Sequence, residues 1–75
     1  MDKNQFGKKL GSRIRALREK KGISVREFET YEKSVDRQAL SKIENGITTP
    51  TAYTLYRIAQ ILEVSLADLF KDIDK

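Results

Sequence analysis

The chain has 75 residues, 35% of them charged, a net charge of +4, and neither cysteine nor histidine. Its length predicts one domain near the lower limit for a single core, and the missing residue types exclude disulfides, thiolate zinc sites and imidazole catalysis. Residues 1–22 carry a charge of +6 and residues 23–75 a charge of −2, which favours a polyanionic partner such as nucleic acid.

Apolar side chains recur every three or four residues along the chain, which predicts helices and no strand. Gly22 ends the first helix, and Ser24 with Glu27 three residues later has the pattern of a capping box for the second. Phe28 and Tyr31 are expected on the inner face of that second helix. The helices are predicted at roughly 4–20, 25–33, 37–44, 52–62 and 66–71. The fold class is therefore all-α, a compact five-helix bundle in a single domain covering 1–75.

The third predicted helix has an apolar and a polar face. Asp36 can cap its start, and Gly46 can take the left-handed conformation that ends it. Leu40 and Ile43 face inward together. The outer side presents Arg37, Gln38, Ser41 and Lys42. Arginine or lysine can bond guanine and glutamine can pair with adenine in the major groove. The helix is therefore suited to DNA, and a solvated surface helix is the plain alternative.

The remaining helices begin at recognisable capping residues. Pro50 bars helix at the residue before it, Thr51 can cap the fourth helix, and Ser65 can cap the fifth. The tail 71–75 is polar apart from Ile73, and we expect it to fray.

The second and third predicted helices are joined by only a few residues around 33–35, which fits a helix-turn-helix unit. In order along the chain, several stretches resemble the Xre/Cro-type helix-turn-helix repressors, which include the lambdoid phage repressors. The matching stretches are 10–18, 22–24, 40–46, Pro50, 55–62 and 64–70. The resemblance covers residues 10–70 and implies a repressor-like bundle that binds operator DNA.

Site residues follow from this resemblance, position by position. The family's base-reading positions fall on Arg37, Gln38, Ser41 and Lys42. Positions that touch the DNA backbone fall on Asn45, Thr48, Thr49 and Thr51, with Tyr53 as a further candidate. For the threonines, turn and cap chemistry is the alternative. Arg18 and Glu44 match a pair that forms an internal ion pair in the repressors.

Three departures from the family pattern concern the helix-turn-helix itself. Val25 stands where the family usually has a glutamine that braces the DNA backbone, and Glu29 stands where it usually has an alanine. The turn lacks the family's glycine and is one residue longer, with Lys33 and Ser34 filling the space. We therefore expect the angle between the two helices to differ from the family norm.

Reading a palindrome requires two copies of such a domain, about 34 Å apart on the DNA, so a homodimer is predicted. Its interface is expected on the fifth helix and tail, at Leu66, Leu69, Phe70 and Ile73. The alternative is that Leu66, Leu69 and Phe70 close the core of the single chain.

The function predicted is a sequence-specific, double-stranded DNA-binding transcriptional regulator, most simply a dimeric repressor. Two alternatives use the same fold: an antitoxin-like protein with a protein partner, and a module for protein contact alone. An enzyme is not expected, because so small a bundle has little room for a catalytic pocket. No membrane span of about 20 apolar residues and no signal peptide are recognisable. We expect a cytoplasmic protein without cofactor, metal or small-molecule substrate.

Overall fold

Each helix begins at a residue whose side chain accepts the backbone N–H three positions further on. The capping residues are Asp2, Ser24, Asp36, Thr51 and Ser65. These bonds satisfy N–H groups that a helix start otherwise leaves unpaired. The last four were predicted from the sequence, whereas the capping box between Asp2 and Gln5 extends the first helix beyond its expected start.

The computed structural model describes residues 1–32 and 35–74, and within them it contains helices and no strand. The helices are α1 (Lys3–Lys21), α2 (Val25–Tyr31), α3 (Arg37–Glu44), α4 (Ala52–Leu62) and α5 (Leu66–Leu69). The all-α, five-helix prediction is confirmed, with α3 and α4 at their predicted bounds. The predicted filling of the turn by Lys33 and Ser34 lies outside the described residues.

Two helices are shorter than predicted. α2 stops at Tyr31 because Glu32 takes an extended backbone conformation. α5 stops at Leu69, and a series of turns follows it. Within the described residues, no helix is both long and apolar enough to cross a membrane.

The core lies where all five helices meet, and each helix contributes at least one of its most deeply buried side chains. These are Leu10, Ile14, Phe28, Leu40, Ile58 and Leu69.

Two expectations about the core were wrong. Tyr31 is 61% exposed, because Glu32 fills the inward position one turn after Phe28 and pairs there with Arg57 of α4. Ile73 is 6% exposed and belongs to the core. The described part of the tail is therefore held by a turn in which the Ile73 N–H donates to the Phe70 carbonyl.

Close contact between α1 and α3 fixes where α3 lies. A Cβ atom at Gly11 would be 2.2 Å from the carbonyl oxygen of Ile43, so only glycine allows the two backbones to approach this closely. At the end of α3, Gly46 has a φ of 73°, and a Cβ there would collide with the backbone of Lys8. α1 thus supports α3 along its length.

Candidate nucleic-acid interface

The four predicted base-contacting side chains lie together on the outer face of α3, which we define as Arg37, Gln38, Ser41 and Lys42. All four are exposed, and with Val25 at the start of α2 they line one open depression. Within the described part of the chain, the side chains of Gln38 and Lys42 make no hydrogen bond or ion pair. The outer face therefore presents donors and acceptors that are free to bind a ligand.

The opposite face of α3 is fixed in the core. Leu40 is fully buried and Ile43 is 5% exposed. Glu44 accepts two hydrogen bonds from Arg18, Nε to Oε2 at 2.6 Å and Nη2 to Oε1 at 3.0 Å. The third guanidinium nitrogen of Arg18, Nη1, donates to the carbonyl of Ile23 at 2.7 Å. The predicted ion pair is thus present, and it ties α1 to the end of α3.

Burial makes this pair sensitive to the loss of either partner. The side chains of Arg18 and Glu44 are 8% and 6% exposed. The hydrogen bond and charge of Glu44 raise the pKa of the Arg18 guanidinium, and burial opposes that rise. Because an unpaired buried charge is costly, the pair holds α3 in one position rather than adding much net stability.

Polar groups cluster again at the C-terminal end of α3. Asn45 Nδ2 donates to the Ser41 carbonyl at 2.9 Å and to its hydroxyl at 3.3 Å. The backbone N–H groups of Ile47 and Thr48 both donate to the Lys42 carbonyl, at 2.8 and 3.3 Å. The connector to α4 therefore leaves α3 along a defined path.

The remaining predicted backbone-contact residues are on or just after this connector. Thr48 and Thr49 are exposed. Thr51 Oγ1 is occupied as the cap of α4, where it accepts the Thr54 N–H at 3.1 Å. Tyr53 is 67% exposed, and its ring lies 6.4 Å from that of Tyr56. The structure thus supports the cap alternative for Thr51, and leaves the other hydroxyls accessible.

The predicted dimer residues divide into two groups. Leu69 and Ile73 are 0% and 6% exposed in the single chain, so we correct the expectation that they face a second copy, because core packing already buries them. Leu66 and Phe70 are 42% and 40% exposed. The Phe70 ring also stacks on Phe6 of α1 at a centroid distance of 6.3 Å. The exposed parts of Leu66 and Phe70 therefore form an apolar surface beside α1.

Sequence reasoning missed three contacts that position the interface. The first is the close contact at Gly11 in the middle of α1. A glycine inside a helix costs about 1 kcal/mol relative to alanine, so its presence there could have indicated a close packing contact. The second is the ion pair between Glu32 and Arg57, and the third is the ion pair between Glu29 of α2 and Arg37. The two ion pairs join residues whose proximity only the folded chain reveals.

The described residues contain no group of three or more side chains that could hold a metal ion. The arrangement is suited to binding a ligand by hydrogen bonds and charge. It presents exposed guanidinium, ammonium, amide and hydroxyl groups on a short helix whose opposite face is packed in the core. Such groups match the donor and acceptor pattern of base edges in the major groove.

Comparison with known proteins decides the family. Residues 14–69 match the family HTH_3, described as helix-turn-helix. The chain belongs to this family. Since the match includes α2, the turn and α3, α3 occupies the position of the second helix of the helix-turn-helix unit.

Three relatives share this similarity, and two of them match over most of their length. The chain is 38% identical over 68 residues to an uncharacterized HTH-type transcriptional regulator, y4dJ, of Sinorhizobium fredii, which covers 91% of this chain and 87% of the relative. It is 31% identical over 72 residues to the control protein C.MunI of a Mycoplasma species, covering 96% of this chain and 97% of the relative.

A third relative is longer. The chain is 39% identical over 62 residues to the HTH-type transcriptional regulator SlrR of Bacillus subtilis, a match that covers 81% of this chain and 40% of SlrR. No solved structure gave a significant match. Together, the family match and the named relatives identify the protein as a DNA-binding transcriptional regulator of the helix-turn-helix type.

Proposed function

We propose that the protein is a dimeric repressor that reads a palindromic operator with α3 in the major groove. The observation that carries this proposal is the shared depression lined by Val25 and the whole outer face of α3. Arg37 and Lys42 are the candidates for guanine, Gln38 is the candidate for adenine, and Ser41 can bond either kind of base pair.

The dimensions of the chain suit this arrangement. An α-helix such as α3 is about 10–12 Å in diameter with its side chains, which fits the major groove of about 12 Å in width. The longest dimension of the chain is 33 Å. Two copies side by side could therefore present their α3 helices one DNA turn apart, at about 34 Å.

Phosphate contacts are assigned to the groups at the C-terminal end of α3 and on the connector. Asn45 and the hydroxyls of Thr48 and Thr49 are exposed and chemically suited to phosphate oxygens. Thr51 and Tyr53, at the start of α4, are weaker members of the same set, because the Thr51 hydroxyl already caps the helix. Such contacts fix the register of the protein on DNA without reading sequence.

The proposed dimer forms through Leu66 and Phe70, the members of the predicted interface that remain exposed on the folded chain. Each of these side chains is already more than half buried, so covering the exposed remainder contributes about 1 kcal/mol per side chain. A dimer of this kind would respond to its own concentration, which suits a repressor in the cytoplasm.

The names of two relatives support a regulatory role. y4dJ is named as a transcriptional regulator and C.MunI as a control protein, and the match spans 87% and 97% of their lengths. We extend this role to the present chain as part of the proposal.

Selection from a random duplex library at near-physiological salt tests the proposal. We expect enrichment of a palindrome whose half-sites are centred about 10–10.5 base pairs apart, and a dimer in sedimentation analysis of the protein with that duplex. Failure to enrich any sequence would contradict the repressor proposal. A monomer that binds a single half-site would contradict the dimer alone.

The exposed Leu66 and Phe70 would equally suit contact with a different protein. A protein-binding or antitoxin-like role is therefore the second candidate function. The same selection separates the two, because a protein-binding module predicts no enriched duplex. Replacing both side chains, as Leu66→Ser with Phe70→Ser, should weaken operator binding by the dimer and leave a monomer that is still folded.

A further inference from the structure

An acidic side chain of α2 lies directly against the outer face of α3. Glu29 Oε2 accepts the backbone N–H of Arg37 at 2.8 Å, and its Oε1 is 3.9 Å from Arg37 Nε. The start of α3 already has a cap, since Asp36 Oδ1 accepts the N–H of Ala39 at 2.8 Å. Glu29 is therefore a second carboxylate at this helix start, and it contacts both backbone and side chain of the same arginine.

The hydrogen bond from the Arg37 N–H helps to stabilise the start of α3, but the contact of Glu29 with the Arg37 side chain has no comparable structural role. The side chains of Arg37 and Glu29 are 54% and 38% exposed, and exposed ion pairs contribute little to folding. A carboxylate at a surface that meets DNA is also repelled by the phosphates. Its position beside a base-reading side chain suggests a role in how that side chain is used.

Two physical effects of Glu29 act on Arg37. The contact limits the directions in which a long, flexible guanidinium points, which lowers the entropy lost when the guanidinium binds a base edge. The carboxylate also competes with phosphate for the guanidinium, and this competition matters most on DNA of the wrong sequence, where phosphate is the main ligand available.

We infer that Glu29 is a positioning residue that directs Arg37 to a base edge and away from phosphates, and so raises the preference for operator over other DNA. The inference rests on the proposed function, since it requires Arg37 to read a base. It concerns a residue at which this chain departs from the alanine of the resembling repressors.

The substitution Glu29→Gln tests the inference, because glutamine keeps an oxygen that can accept the Arg37 N–H and removes the charge. Affinity for an unrelated duplex should rise about 3–10-fold. The slope of the logarithm of this affinity against the logarithm of salt concentration should steepen by about 0.9, the change expected for one added phosphate contact. Affinity for the selected operator should change by less than about 2-fold, because the lost positioning of Arg37 offsets the relief of repulsion between Glu29 and the phosphates. The ratio of the two affinities therefore falls.

Two controls separate this effect from a general change in charge. Glu19→Gln removes the same charge from α1, where Glu19 faces Arg15 at 3.4 Å, and should leave the ratio unchanged. Glu29→Gln in an Arg37→Ala background should likewise leave the ratio unchanged, because the residue through which Glu29 acts is gone. Circular dichroism of each variant verifies that the helices are retained.

Several results would overturn the inference. Equal gains on operator and unrelated duplex would show that Glu29 acts only by repulsion, and an undiminished effect in the Arg37→Ala background would show that it acts elsewhere. An enriched operator with unchanged selectivity in Glu29→Gln contradicts this inference and leaves the proposed function intact. If the wild-type chain enriches no sequence, the proposed function fails, and the inference fails with it.

Discussion

The two faces of α3 differ in burial and in the bonds that their side chains make. On the inner face, Leu40 is fully buried and Glu44 is held by two hydrogen bonds from Arg18. On the outer face, Gln38 and Lys42 are exposed, and within the described residues their side chains have no partner. One helix of eight residues thus carries its structural role on one side and its proposed recognition role on the other. Substitutions on the inner face should alter stability, and substitutions on the outer face should alter DNA binding.

The largest expected effect is on the inner face. Arg18→Ala leaves the Glu44 carboxylate buried without its partner, which should lower the free energy of unfolding by about 3–5 kcal/mol. Urea denaturation measures this loss. Arg15→Ala on the same helix is the control, because its pair with Glu19 is more than half exposed and should contribute no more than about 1 kcal/mol. Equal losses in the two variants would contradict the structural role of the buried pair.

The next effect tests the close contact that supports α3 from behind. Gly11→Ala places a methyl group 2.2 Å from the Ile43 carbonyl oxygen and should cost about 3 kcal/mol by forcing the helices apart. Gly7→Ala on the same helix meets only ordinary contacts at 3.5 Å or more. It should stabilise the chain by up to about 1 kcal/mol, because alanine is the better helix former. Thermal denaturation of both variants measures the difference, and the same sign for both would refute the account of this contact.

On the outer face, the expected effect moves from stability to binding. Arg37→Ala should weaken operator binding by about 1–3 kcal/mol and relax the preference at one base pair of each half-site. Its free energy of unfolding should change by no more than about 0.5 kcal/mol. Lys20→Ala, at an exposed position of α1, removes the same charge as a control. A uniform loss of affinity on all sequences would make Arg37 a phosphate contact.

The smallest expected effect lies outside both faces and concerns pH. At the start of α5, the backbone N–H of the capping residue Ser65 donates to the Asp68 carboxylate at 3.0 Å and lowers the pKa of Asp68. Because the folded pKa is below the unfolded value of about 3.9, this contribution is complete above that pH and is lost as the pH falls through the folded value. An NMR titration of the carboxyl group measures the shift. Asp68→Asn should reduce the loss of stability on acidification, and an unshifted titration would contradict the cap.

The structural features that could be predicted best from the sequence are those that depend on a few neighbouring residues. The caps at Ser24, Asp36 and Ser65 depend on residues three positions apart. The two faces of α3 follow from helical spacing within eight residues. Gly46 likewise ends α3 with the positive φ that its residue type permits. These features need no knowledge of the rest of the chain.

Features that depend on distant parts of the chain were less predictable. Tyr31 was expected inside, but Glu32 takes the inward position because Arg57, 25 residues away, supplies its partner. Ile73 looked like part of a frayed tail, yet the core buries it. The contact between Glu29 and Arg37 crosses the turn between α2 and α3, and the spacing of either helix gives no sign of it.

An NMR titration of the labelled chain with its selected duplex tests the central claim, that the outer face of α3 is the DNA-binding surface. We predict that the largest shifts are those of the amide signals of Arg37, Gln38, Ser41 and Lys42. Smaller changes are expected at Thr48 and Thr49, and none at Gln60 on α4. Perturbations centred on Tyr56 and Gln60, with the α3 signals unmoved, would contradict it.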